Sequence, residues 1–148
     1  MGKKIWIILL LILIVAYTVS ISGKKGSTEN AVMTVDKSEK FKNTEIETAI
    51  DRVKKEFKGF TNCEMTKIYY DEEKSNMEIN HYLTENQENK SVKNVDKKDF
   101  IVLYSDFEVG EENDQNSGFM PGSHHKDWMW LLKKDEFWKS WKVVTFGV

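Results

Sequence analysis

His124, His125, Lys126 and Asp127 follow one another in the chain, putting two imidazoles and a carboxylate into one short stretch. Imidazole nitrogen and carboxylate oxygen are zinc-type ligands, so His124, His125 and Asp127 form a candidate metal site. Neighbouring histidines point apart on an extended backbone, which makes a solvated loop the plainer expectation. Tyr69-Tyr70-Asp71-Glu72-Glu73 sets two phenols beside three carboxylates. Within a cleft such a group does acid–base work; on a surface it ends a strand and caps a helix. Asp106, Glu108, Glu111, Glu112 and Asp114 offer oxygen ligands to a hard cation. Their spacing lacks the alternation, glycine and late glutamate of an EF-hand. Cys63 is the only cysteine and opens an alternating stretch, so it is expected as a small buried side chain. Neither a phosphate-cradling glycine loop nor a nucleophile elbow occurs. No catalytic residue and no cofactor follow from these residues, and the balance lies against an enzyme.

Aromatic rings are the other chemically telling group. The stretch Asp127–Val148 holds four of the five tryptophans. Rings gathered this way make a core, a ligand wall or a membrane-facing patch. Tyr69, Tyr70, Trp128, Trp130 and Trp141 are the candidate ligand-binding residues, with the core as the ordinary alternative.

The elements that must position these residues begin with an unusual leader. Lys3 and Lys4 precede IWIILLLILIVAYTVSI, an apolar run from residue 5 to residue 21. As a helix it spans about 25 Å at ~1.5 Å per residue. A bilayer core is about 30 Å thick, so residues 1–22 are expected as a short transmembrane anchor or a long signal-peptide core. The expected arrangement is a single-pass membrane protein, held through residues 5–21 with its C-terminal domain outside. Ser20 and Ser22 also allow cleavage near Ser22-Gly23 and a secreted product. Residues 23–40 are polar and aperiodic, the composition of a tether. The domain proper is expected over residues 41–148. Charged residues are 31% and hydrophobic residues 40% of the chain, a globular balance. A net charge of −2 and one arginine, Arg52, do not suit a nucleic-acid binder.

Within the domain, Ile46, Ala49, Ile50, Val53 and Phe57 recur at helical spacing. Asn43 or Thr44 can cap its start, Thr44 with Glu47 fits a capping box, and Gly59 suits a left-handed stop. Cys63–Tyr70 reads as a strand, and Ser75–Leu83 as a short helix with a thin apolar stripe. Phe100–Val109 is apolar on both faces over its first half, the pattern of a central strand covered on each side. A loop is expected from Gly110 to Lys126. A hairpin follows, with Trp128, Trp130 and Leu132 on one face and Met129 and Leu131 on the other. Pairing Trp130 with Trp141 sets Trp128 opposite Val143 and makes a continuous aromatic face. Cross-strand aromatic pairs contribute roughly 0.5–1 kcal/mol each.

This order suggests an α+β roll in which a long helix packs on a curved antiparallel sheet, of the class called cystatin-like or nuclear-transport-factor-like. The segments AIDRVKKEFKGFTNCEMTKIYYDEEKSN, DFIVLYSDFEV and WMWLLKKDEFWKSWKVVTFGV resemble a family of small uncharacterised envelope proteins and lipoproteins of low-GC Gram-positive bacteria, which carry a domain of unknown function. Many such proteins carry a lipid-attachment cysteine; this chain has none there. The resemblance implies the roll and an envelope location and brings no catalytic motif. The expected function is a non-enzymatic module that binds an envelope protein or a small ligand. The alternatives are a pocket-containing hydrolase or isomerase, or a structural or regulatory envelope protein.

Overall fold

A computed structural model describes residues 24–86, 95–112 and 117–147. The apolar leader over residues 1–22 lies outside the described residues. The rest is α+β: five strands in one mixed sheet, with one helix on each face.

The first helix, α1 (Asn43–Phe57), forms because its apolar residues share one stripe. Ile46, Ala49, Ile50, Val53 and Phe57 are all buried. Its N-cap is Lys42, two residues earlier than the Thr44 box implied. The Glu45 carboxylate accepts the Lys42 backbone N–H at 3.1 Å, which is half of a capping box. Strand β1 (Val32–Val35) precedes it and lies in parallel alongside β2 (Cys63–Tyr70). The expected tether of residues 23–40 is thus corrected: the described part is bonded to the body along much of its length. Ser27 bridges Glu64, and Asp36 N–H reaches the Tyr70 carbonyl at 3.2 Å.

Helix α2 (Glu72–Glu85) is longer than the thin stripe predicted. Asp71 caps it by accepting the Lys74 N–H at 3.0 Å. Only Ser75 and Ile79 are fully buried, and Met77 is exposed. Ser75 Oγ accepts the Val102 N–H at 3.0 Å, where β2 has ended and offers β3 no partner. Strand β3 (Phe100–Val109) is central as expected. It is flanked by β2 and by β4 (His124–Lys134), and β5 (Trp141–Gly147) closes the far edge in the order β1-β2-β3-β4-β5.

Alternation along β3 and β4 divides two cores. Ile101, Leu103, Phe107, Val109, Trp130 and Leu132 face α1. Phe100, Val102, Tyr104 and Leu131 face α2. Trp130 is fully buried among Phe57, Phe60 and Phe146. Removing one indole from water contributes up to about 6 kcal/mol at ~25 cal/mol per Å², an upper bound.

The hairpin register differs from the one anticipated. Trp130 pairs with Phe146, Leu132 with Val143, and Lys134 with Trp141. An extra residue, Val144, shifts the β5 register between Leu131 and Leu132. One inserted residue exchanges the two faces. Phe146, instead of Thr145, therefore packs against Trp128 and Trp130. Strand β4 also starts earlier than expected, so His124 and His125 belong to it and the loop ends before them.

Candidate functional site

The α1 face of the sheet is where a roll of the expected class would enclose a ligand. Here the chain fills it with its own rings. Trp130 Nε1–H donates to Ser105 Oγ at 2.9 Å, and Trp141 Nε1–H to the Glu45 carbonyl at 2.9 Å. Trp128 is half-buried against Phe60, Phe107, Phe119 and His125. Its buried Nε1 has no partner among the described residues. Tyr70 joins this core and bonds Glu72 through its hydroxyl at 3.2 Å. Tyr70, Trp128, Trp130 and Trp141 therefore share one face as packing residues.

Tyr69 points the other way. Its ring stacks on Tyr104 at 5.4 Å, and the Lys67 and Lys74 ammoniums lie 4.4 and 5.5 Å from its centre. Its hydroxyl donates to Asp127 Oδ1. Asp127 holds a left-handed backbone (φ 53°) at the irregularity between Ser105 and Phe107. The Asp106 carboxylate accepts its N–H at 2.9 Å. Bulges and left-handed residues of this kind often re-aim side chains at functional sites. Burial first, and then the Asp127 carboxylate, push the Tyr69 phenol well above its ordinary value. It stays protonated near neutrality: a donor, not a general base.

The candidate metal residues are dispersed. His125 stacks on Phe107 at 4.6 Å on the α1 face. His124 pairs with Glu108 at 3.3 Å at the surface, and Asp127 is engaged by Tyr69. No group of three or more His, Cys, Asp or Glu side chains is placed to hold a metal ion among the described residues. Asp71 is a helix cap, and His81 lies on the exposed side of α2 beside Glu85 at 3.3 Å. Cys63 is buried, its Sγ 3.4 Å from the Thr61 carbonyl.

The surface feature that residue type did not reveal is the β4–β5 tip. Phe137 is 90% exposed and Trp138 82% exposed. The turn carrying them is tightly bonded. Asp135 N–H donates to the Ser140 carbonyl at 2.8 Å, and Lys139 N–H to the Asp135 carbonyl at 3.0 Å. Asp135 Oδ1 accepts both the Phe137 and Trp138 N–H groups at 2.9 Å. The Lys142 ammonium on the other oxygen, with the Trp138 and Phe137 N–H groups, lowers the Asp135 carboxyl to about 2. A groove of about 440 Å³ beside the rings is lined by Lys133, Lys134, Glu136, Phe137, Lys142 and Val144. Two rings held out in water by an ordered turn form a small preorganised apolar knuckle. Such residues anchor interfaces.

No family model, curated protein or solved structure matches the chain.

Proposed function

We propose that this chain is a membrane-anchored extracytoplasmic binding module, a cystatin-like roll that recognises an envelope protein through the Phe137–Trp138 tip. The single observation behind this reading is the contrast between the two aromatic groups. The rings of the α1 face are packed against one another, while Phe137 and Trp138 stand in solvent on an ordered turn. Isolated exposed rings are common, but an adjacent Phe-Trp pair on a braced hairpin is the kind of patch that marks an interaction site. The packed rings of the α1 face favour this reading over a hydrolase or isomerase. The envelope location rests on the leader and on the resemblance to small Gram-positive envelope proteins.

The test is site-specific photocrosslinking in intact cells with the crosslinker at Lys139. A discrete protein adduct is expected from the parent chain and should be lost on replacing Phe137 and Trp138 by serine. Such exposed substitutions should alter folding stability by less than about 0.5 kcal/mol. An unchanged adduct from the folded double variant would count against the tip.

A further inference from the structure

The corrected tether limits how far the domain can stand from a bilayer. The first described residue is Lys24, whose carbonyl accepts the Asn62 N–H at 2.7 Å. Gly26 N–H donates to the Lys58 carbonyl at 3.2 Å, and Ser27 N–H to the Cys63 carbonyl at 2.9 Å. Met65 N–H returns to the Ser27 carbonyl at 2.8 Å. Gly26 is buried so closely that a Cβ there would stand 2.1 Å from the Phe57 carbonyl oxygen and 2.8 Å from that of Phe60. The segment is thus built into the body from its first described residue.

The apolar run ends at Ile21, so Ser22 and Gly23 are all that separate it from Lys24. Three residue steps span at most about 10 Å when extended. The headgroup layer on each side of a bilayer is roughly 5–8 Å deep. An anchored chain therefore cannot hold Lys24 far above the lipid. Lys24, Lys25 and Lys58 are all exposed at this end, around a cleft of about 790 Å³. Of the carboxylates lining the cleft, Glu64 accepts from Asn30 at 2.8 Å, Glu108 lies 3.3 Å from His124 and Glu29 is the third, while Glu111 and Glu112 are exposed just beyond its Gly110 edge. The lysines stand next to the point of entry, where an anionic leaflet attracts them most.

We propose that this end of the domain is a lipid-contacting seat: Lys24, Lys25 and Lys58 rest in the headgroup layer of the bilayer that anchors the chain. The inference rests on the membrane-anchored reading. Strand β4 runs from this end towards the hairpin tip. Its 11 residues cover about 37 Å at ~3.4 Å each, so the tip is held away from the lipid.

The test uses the full chain in vesicles of phosphatidylcholine and phosphatidylglycerol, with Cys63→Ala as background. Nitroxides are attached to Lys58→Cys and, separately, to Ser140→Cys. Their collisions with lipid-soluble oxygen and with a water-soluble nickel chelate are compared. The Lys58 label is expected to be shielded from nickel severalfold more than the Ser140 label. Inserting about ten Gly/Ser residues before Lys24, a flexible span of roughly 18 Å, should reduce that difference. Equal nickel exposure of both labels in a chain that floats with the vesicles overturns the seat alone. A chain that fails to float overturns the anchored reading, and the seat with it.

Discussion

Replacing Ser105 with alanine removes one oxygen from the middle of the sheet. Ser105 and Trp130 are both 0% exposed, and the indole N–H reaches Ser105 Oγ at 2.9 Å. Without that oxygen the N–H stays buried, since the rings of Phe57, Phe60 and Phe146 surround the indole and offer it no acceptor. A buried donor left unpaired costs about 1–3 kcal/mol. For a urea m-value near 2 kcal/mol/M, the midpoint should fall by about 1 M. Trp130→Phe should itself cost roughly 1–3 kcal/mol through lost ring volume. Once the indole is gone, Ser105→Ala should cost under ~0.5 kcal/mol, because no donor remains to be stranded. Equilibrium unfolding of the four chains in detergent, followed by circular dichroism, gives the coupling directly. An equal cost of Ser105→Ala in both backgrounds would refute the claim that this bond anchors the filled face.

Alkaline titration should expose the buried phenols. Burial foremost raises Tyr69, Tyr70 and Tyr104, with Tyr70 pushed up to about 12. Because the folded values lie above the unfolded value near 10, this contribution to stability is intact below about pH 10 and is lost as pH rises through the folded values. Phenolate absorbance from these three residues should therefore lag and then appear together with loss of structure; ionisation of every tyrosine near pH 10 with the dichroism intact would contradict it. Gly26→Ala should cost about 1–3 kcal/mol, because backbone oxygens crowd the new methyl on two sides. The amides of Val32–Val35 should then exchange with deuterium faster than those of β3, and unchanged exchange would show that the segment is not clamped at Gly26.

Much of the frame was legible in the residues. The α1 stripe is visible because its other face is charged. The β3 pattern is visible because both of its faces are covered. Strand β1 was hidden for a physical reason: VMTV is short and mostly exposed, and it exists because β2 offers a free edge rather than because its own residues demand a strand. Helix α2 was underestimated because so little of it is buried beyond Ser75 and Ile79. The Val144 irregularity has no compositional mark, yet it decides whether Phe146 or Thr145 faces the core. His124 and His125 are polar residues after a glycine-containing loop, and only pairing with Glu108 and Phe107 makes them strand. The tip was the least legible feature. Phe137 and Trp138 are the same residue types as the buried rings around them in sequence, and burial is a property of where the turn sends them.

The parallel pairing of β1 with β2 has a mechanical consequence. A chain held at Lys24 and pulled by a partner at Phe137 carries tension along the strand axes, because these two points lie at opposite ends of the sheet. The bonds of Lys24, Gly26 and Ser27 meet the load first and the Val32–Val35 ladder stands behind them, its hydrogen bonds strained together in shear rather than opened one after another. Strand β1 would act as a clasp that resists extraction along its own length and yields readily to peeling from the side.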